Sequence, residues 1–171
     1  MLPDDNINRM WGFAQLPDSF PYPFHGEDNP MTPVCQAHLD GGILYIFADL
    51  DYFFGDLDAE SGHIGEWDKD FYRVLYTMED TLLHLHEICY PDGTPAVPEA
   101  RPFGEELLHP PTCWQDELAQ DYPGYEVLLQ LEEDEEIGLR FYDCGTLFFL
   151  IKPEDLQAHR FDRVRCALYS Y

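Results

Sequence analysis

Hydrophobic and polar positions along this chain group into short runs, and several alternate with a period of two, which is typical of strands. The run at 43–49 is continuously apolar, so we expect it to lie inside a sheet. Asp40-Gly41-Gly42 in front of it is a tight-turn signal. The pattern predicts six strands, at 34–39, 43–49, 71–77, 125–131, 146–151 and 161–168, the last as an edge or closing strand.

The remaining segments predict fewer regular elements. Six prolines break residues 1–33, which we expect to be irregular and to wrap aromatic side chains over a core or to form the wall of a groove. Residues 81–89 suit a strand, and 90–111 read as a long connection. Short helices are predicted at 114–120, capped by Thr112, and at 152–156. The predicted fold class is therefore α+β and β-rich, with antiparallel units and a few short helices.

Two of the predicted strand pairs resemble each other. Val34-Cys35-Gln36 precedes a turn and 42–47, and Leu128-Leu129-Gln130 precedes a longer connection and 145–150. Each pair has two apolar residues, a Gln, a Gly and an apolar-aromatic strand. This predicts an internal duplication in which two β units pack together. We expect one domain over residues 1–171, with β-rich halves at about 1–90 and 112–171.

Charge limits the classes of partner. The chain is 45% hydrophobic, which excludes a disordered polypeptide, yet its formal net charge is −25. Residues before Arg140 include 30 acidic and 4 basic side chains, a net −26, whereas Arg140 onward has 4 and 5. Such a field opposes nucleic acids and anionic membranes and favours a basic protein partner. The alternative is that the charge only keeps the protein soluble.

The cysteines and the apolar runs indicate a compartment. The five cysteines are odd in number and include no CxxC pair, so reduced thiols are expected. Cys144 and Cys166 stand in strand-like runs and are predicted to be buried. No run approaches a membrane span, and the first residues do not resemble a secretory leader. These features predict a cytoplasmic protein, with no statement about its oligomeric state.

Candidate metal sites are weak. His84 and His86 would share one face of a strand near Cys89, but a closed site needs further ligands. The acidic loop at 50–70 misses the EF-hand pattern, because Ser61 replaces the required glycine and Trp67 the bidentate glutamate. No phosphate loop, GxSxG or HExxH motif occurs. We therefore predict no cofactor and no metal, and we favour a protein without catalytic activity.

A longer pattern joins these observations. It runs from a Gln-containing strand and G-x-L-x-x-F to LLQ, an acidic segment, D-x-G-x-L-x-F-x-I and D-L-x-x-x-x-F-x-x-V. It resembles the YwqG-like bacterial proteins, a family of unknown function. The resemblance implies a duplicated β-rich fold, distantly similar to domains of programmed cell death 2 proteins and ribosome-assembly chaperones, which bind client proteins. The positions that carry it are Gln36, Gly42, Leu44, Phe47, Leu129, Gln130, Asp143, Gly145, Leu147, Phe149, Ile151, Asp155, Leu156, Phe161 and Val164.

Together these observations predict a non-enzymatic protein-binding module, chaperone-like or toxin-immunity-like, that engages a basic partner through an acidic surface within residues 40–136. The EEDEE run at 132–136 is either a docking point or a solvated hairpin turn. The alternative function is a small-molecule-binding protein or enzyme with a pocket between the two β halves. The predicted binding residues are Asp49, Asp51, Asp56, Asp58, Trp67, Glu132, Glu133 and Asp134.

Overall fold

Strands dominate the computed structural model, which describes residues 7–50, 64–78, 82–103 and 106–171. All strand pairs are antiparallel, and the two α-helices are short, so the predicted β-rich α+β class is confirmed. The strands are β1 Arg9–Met10, β2 Ala14–Pro17, β3 Phe24–His25, β4 Asn29–Pro30, β5 Thr32–Leu39, β6 Gly42–Ala48, β7 Gly65–Glu66, β8 Tyr72–Thr77, β9 Leu83–His86, β10 Arg101–Pro102, β11 Glu126–Glu132, β12 Thr146–Ile151 and β13 Arg165–Tyr169. The helices are α1 Gln115–Asp121 and α2 Pro153–Gln157.

The chain divides into two compact units. The first consists of Met1–Asp49 and Asp70–Gly104. Its main sheet has the order β10-β1-β5-β6-β8, and two short ribbons, β2-β9 and β3-β4, accompany it. Aromatic and aliphatic side chains around Tyr45 and Phe47 form its hydrophobic core, so β6 is buried along its whole length as its apolar run predicts.

The second unit consists of Leu50–Lys69 and Glu105–Tyr171. Its sheet has the order β11-β12-β13-β7, so the two-residue strand β7 comes from a segment early in the chain. β12 is fully buried, and α1 packs on one face of the sheet through Leu118 and Tyr122. The stability of α1 depends on this packing, because an isolated seven-residue helix is not stable in water.

The two hairpins β5-β6 and β11-β12 share one register. Gln36 pairs with Tyr45 as Gln130 pairs with Phe148, and both hairpins contain a bulge two residues before the Gln. The bulged residues are Val34 and Leu128, the residues that open the two sequence motifs. The repeat seen in the sequence is therefore a duplication of local structure, including its irregularity.

The duplication extends beyond the hairpins. Each third strand follows a 3-10 turn. β8 begins directly after the turn Lys69–Phe71, and β13 begins one residue after the turn Phe161–Arg163. Before each hairpin, one residue has a left-handed backbone and donates its N–H to the carbonyl of the bulged residue. These residues are Trp11, with φ 60°, and Leu108, with φ 58°. The N···O distances are 3.0 and 2.9 Å.

The repeated glutamine has a structural role in both copies. Gln36 accepts a hydrogen bond from the backbone N–H of Gln15 at 2.9 Å, and Gln130 accepts one from Thr112 at 3.0 Å. Gln15 lies four residues after Trp11, and Thr112 lies four residues after Leu108. Each carboxamide thus fixes the chain that enters the unit, which explains why the same side chain occupies the same register position twice.

Several expectations about local structure are wrong. Of residues 1–33, which we expected to be irregular, the described part from residue 7 onward contains short strands such as β2, because prolines are tolerated at strand ends and edges. The run at 161–168 begins as a 3-10 turn, and β13 lies between β12 and β7 rather than at an edge. Cys144 is exposed at φ 51°, just before β12, whereas Cys166 is buried as predicted.

Candidate functional site

The candidate site lies beside helix α1 in the second unit. The helix begins after Trp114, whose left-handed backbone (φ 59°) occupies the capping position, and no side chain caps it. The prediction that Thr112 caps this helix is therefore wrong. Its N–H and hydroxyl instead form hydrogen bonds with Gln130, and its hydroxyl also bonds to Glu132. This ties the start of the α1 segment to strand β11.

A cavity of about 330 Å³ opens beside the helix. Leu118 and Ala119 of α1 form one side, and Val127 of β11 and Leu150 of β12 line the sheet face. Tyr122 and Tyr125, before β11, contribute aromatic rings whose centroids are 5.9 Å apart. The lining also includes Gln115, Pro123 and Gly124. An apolar cavity with a few polar edges is typical of sites that take an organic group.

Two cationic side chains lie over the rings of these tyrosines. The Arg165 guanidinium lies 4.9 Å from the ring centre of Tyr122, and Lys152 Nζ lies 5.4 Å from that of Tyr125. Arg165 also forms an ion pair with Glu66 of β7, and the hydrogen bond that the guanidinium donates to this carboxylate raises the pKa of the guanidinium. Burial, with a smaller contribution from Glu66, raises the pKa of Tyr122 to about 12, so its hydroxyl remains neutral at physiological pH.

The surface around the cavity is acidic. Residues 114–126 contain four carboxylates and no lysine or arginine, and all four side chains are exposed. We call Asp116, Glu117, Asp121 and Glu126 the acidic rim, because each is next or next but one in sequence to a residue that lines the cavity. Asp121 accepts a hydrogen bond from Tyr169 at 2.8 Å. Within the described ranges, none of the four forms an ion pair with a basic side chain.

The residues predicted from sequence occupy other places. Asp51, Asp56 and Asp58 lie outside the described residues. Asp49 is 1% exposed and follows β6, where its Oδ2 lies 2.6 Å from His25 Nδ1. No described residue donates a hydrogen bond to its Oδ1. A carboxylate this deeply buried is not part of an accessible acidic surface.

The predicted EEDEE residues are engaged within the second unit. Glu133 accepts hydrogen bonds from the N–H groups of Phe141 and Gly145, at 3.0 and 3.2 Å. Glu132 accepts one from Gln130 at 2.7 Å, and Asp134 caps the following turn through the N–H of Glu136. These carboxylates therefore have a structural role, because their hydrogen bonds fix the connection between β11 and β12.

Trp67 and the histidines also have local partners. Trp67 is 2% exposed, so its ring belongs to the interior, and its backbone N–H donates a hydrogen bond to the carbonyl of Cys166. His84 Nε2 lies 2.9 Å from an Asp18 carboxylate oxygen, and the ring of His86 lies 5.6 Å from that of Tyr22. Among the described residues, no three His, Cys, Asp or Glu side chains are grouped as metal ligands.

Comparison with known protein families gives a partial match, which covers the second unit's site. A family model described as a domain of unknown function (DUF1963) matches residues 99–169, which contain α1, the cavity lining and the acidic rim. No curated protein matches the chain. In the described part of the chain, no helix is long and apolar enough to cross a membrane.

Sequence reasoning missed the cavity. The predicted site residues were chosen for charge, whereas the cavity is formed mainly by apolar and aromatic side chains that look like ordinary core positions. The one sequence signal is the segment 114–126 itself, in which three aromatic residues stand among four carboxylates and no basic residue occurs.

Proposed function

We propose that this protein is a non-enzymatic, cytoplasmic protein-binding module that engages a basic partner through its acidic surface, in a chaperone-like or toxin-immunity-like role. The observation that carries the proposal is the exposed acidic rim on the segment that lines an open apolar cavity, in a chain with a net charge of −25. Opposite charge accelerates encounter and selects the partner, while an apolar cavity supplies burial after contact.

The sequence resemblance supports the same role. The motif described above resembles YwqG-like bacterial proteins and, more distantly, client-binding domains of programmed cell death 2 proteins and ribosome-assembly chaperones. A basic client of an assembly chaperone would present lysine and arginine side chains, and so would a cationic toxin. The acidic rim suits either class, so the proposal concerns the chemistry of the partner rather than its name.

A charge-reversal variant tests the proposal. The double variant Asp116→Lys/Glu117→Lys changes the rim, and Glu27→Lys/Asp28→Lys makes the same change on exposed residues of the β3-β4 hairpin. We expect lysine- and arginine-rich 12-residue peptides to bind the wild-type protein at low salt and about ten-fold more weakly at 0.3 M salt. The rim variant should lose binding at low salt, and the hairpin variant should retain it. Absence of binding at low salt, or equal loss in the two variants, would contradict the proposal.

A second candidate function is small-molecule binding in the same cavity. Its volume of about 330 Å³ lies at the lower end of the range typical of ligand sites. Saturable binding of a neutral aromatic fragment, unchanged by the rim variant and by salt, would favour this function over recognition of a basic protein.

A further inference from the structure

Strand β9 forms an open edge in the first unit. It pairs with β2 in a two-stranded sheet, and no other described strand pairs with it. Leu85 of this strand is 42% exposed, and Leu82, directly before the strand, is 77% exposed. Exposed leucines on an edge strand are unusual, because such a strand offers both backbone hydrogen bonds and apolar contacts to another chain.

The backbone of β2 shows which groups of β9 face outward. Gln15 pairs with Leu85 across the ribbon. The Gln15 N–H, however, donates to the Gln36 side chain at 2.9 Å, so it points away from β9. In an antiparallel pair of strands, hydrogen-bonded residue pairs alternate with non-hydrogen-bonded pairs. Gln15 and Leu85 are therefore a non-hydrogen-bonded pair, and the N–H and C=O of Leu85 face the outer edge.

The next pair of the same kind supports this alternation. Pro17, opposite Leu83, has no N–H, and its carbonyl accepts a hydrogen bond from the Phe20 N–H at 3.0 Å. The outer edge of β9 therefore carries the N–H and C=O groups of Leu83 and Leu85, whereas the backbone groups of His84 and His86 face β2. Within the described ranges, no backbone group bonds to these four outward groups.

The charge near this edge favours a basic segment as its occupant. Residues 74–100 contain five carboxylates and no lysine or arginine. Glu87, directly after the strand, is exposed, and the exposed Asp18 carboxylate lies 2.9 Å from His84 Nε2. Two copies of the chain would bring together two net charges of −25, which opposes pairing of β9 with its own copy.

The sequence of β9 does not protect this edge. Natural edge strands are commonly protected by lysine, by proline or by a very short length. The strand is short, but residues 82–90 contain neither lysine nor proline. The second unit shows that a short pairing can suffice in this fold, because β7 joins β13 through only two residue pairs.

We infer that β9 accepts an extended segment of the protein partner as an added antiparallel strand. Main-chain hydrogen bonds to Leu83 and Leu85 would hold the segment, as in other complexes formed by strand addition. Its lysine or arginine side chains would meet Asp18 and Glu87. The inference rests on the proposed basic partner and adds a contact in the first unit that is separate from the acidic rim.

A peptide with few charges separates this contact from the rim. KTVTVTK has a strand-forming centre and one lysine at each end, so it is not lysine-rich. In an NMR titration at about 0.15 M salt, where long-range charge is screened, we expect it to bind the wild-type protein and the Asp116→Lys/Glu117→Lys variant within about two-fold of each other.

Methylated peptides provide the matched control. Only alternate N–H groups of an added strand face β9. One peptide is therefore methylated on the backbone nitrogens of its two valines, and the other on those of its first two threonines. One of these two peptides should lose binding, and the other should retain it.

Amide hydrogen exchange of the wild-type protein tests the direction of the backbone groups. In the free protein, the amides of Leu83 and Leu85 should exchange faster than those of His84 and His86, which are bonded to β2. Saturating KTVTVTK should slow the two leucine amides at least about ten-fold and leave the two histidine amides unchanged.

Two variants of one residue separate the backbone from the side chain. Leu85→Pro removes the outward N–H and keeps the pairing with β2, because proline is tolerated where the N–H of an edge strand faces solvent. It should abolish binding of KTVTVTK. Leu85→Ala keeps the N–H and should bind within about five-fold of the wild-type protein.

The outcomes distinguish the inference from the proposed function. Failure of KTVTVTK to bind, equal binding of the two methylated peptides, or unchanged exchange of the Leu83 and Leu85 amides would overturn strand addition. Dimerisation of the free protein that Leu85→Pro abolishes would assign the edge to a second copy and would also overturn it. Failure of the lysine- and arginine-rich peptides to bind the wild-type protein would instead overturn the proposed function.

Discussion

The first and second copies of the repeat form the same hairpin, but different segments cover its sheet face. In the first, a Phe-Pro-Tyr-Pro segment covers the face of Tyr45 and Phe47, and Tyr22 contacts Phe47 directly. In the second, helix α1 covers the face of Phe148 and Leu150 and leaves a cavity beside Ala119. The difference teaches that the shared elements preserve the sheet, whereas the segment that covers it is free to diverge.

The largest expected effect concerns the glycine that opens the second strand of each hairpin. A Cβ on Gly145 would lie 2.1 Å from the Phe141 carbonyl oxygen, and one on Gly42 would lie 2.5 Å from that of Thr77. Because backbone atoms must move, Gly145→Ala and Gly42→Ala should each lower the free energy of unfolding by about 3 kcal/mol.

Gly124→Ala is the control for the glycine variants. Gly124 has φ +81° and no atom within 4 Å of a built Cβ, so it should cost only about 1 kcal/mol of conformational strain. Urea unfolding measures all three. Equal losses at Gly124 and Gly145 would show that the close approach in the hairpins is not what requires glycine.

The repeated glutamines should differ in the size of their contribution. Gln36 is buried, and replacing it with Leu leaves the Gln15 N–H without its acceptor, so Gln36→Leu should cost about 2 kcal/mol. Gln130→Leu should cost about 1 kcal/mol, because Thr112 is exposed and water can replace the amide. Urea unfolding of the two variants compares them, and a larger loss for Gln130→Leu would contradict the assigned roles.

Tyr45 and its counterpart Phe148 allow a test in the opposite direction. The buried Tyr45 hydroxyl has no hydrogen-bond partner among the described residues, and the second copy has no hydroxyl there. Tyr45→Phe should raise the free energy of unfolding by about 1 kcal/mol. Tyr76→Phe, which removes a 2.8 Å hydrogen bond to the Leu39 carbonyl, should lower it by a similar amount. A loss of stability in Tyr45→Phe would show that its hydroxyl has a partner.

High pH should lower the free energy of unfolding through a buried tyrosine in each copy. Burial raises the pKa of Tyr45 and of Tyr122 from 10 to about 12, so each resists ionisation when folded. Their contribution to stability is fully present below pH 10, the value for the unfolded chain, and is lost as pH rises toward 12. Urea unfolding at pH 8 and pH 11 should show this loss, and Tyr45→Phe should reduce it. A free energy of unfolding that is unchanged over this range would contradict the assignment.

The sheet strands and the duplication follow directly from the residue pattern. The continuous apolar run at 43–49 and the Gln-containing motifs were sufficient, because strand burial and register depend on local periodicity. The strand β7 could not be predicted, since Gly65–Glu66 has no pattern of its own and pairs with β13 only through the tertiary fold. The same holds for Asp49, whose burial against His25 depends on a hairpin distant in sequence.

The candidate site was less accessible from sequence than the fold. Charge counts indicated an acidic surface and a basic partner, and both remain proposals. The cavity is lined by residues such as Ala119 and Leu150, which the sequence pattern does not distinguish from ordinary helix and core positions. Conversely, the sequence did not show that Glu133 is engaged within the unit. Its two backbone donors, Phe141 and Gly145, lie further along the chain and meet it only in the folded structure.

Binding of lysine- and arginine-rich 12-residue peptides to the wild-type protein and to the Asp116→Lys/Glu117→Lys variant tests the proposed function most directly. The wild-type protein should bind these peptides at low salt, and the rim variant should lose the binding while Glu27→Lys/Asp28→Lys retains it. Absence of binding to the wild-type protein at low salt, or an equal loss in the two variants, would contradict the account.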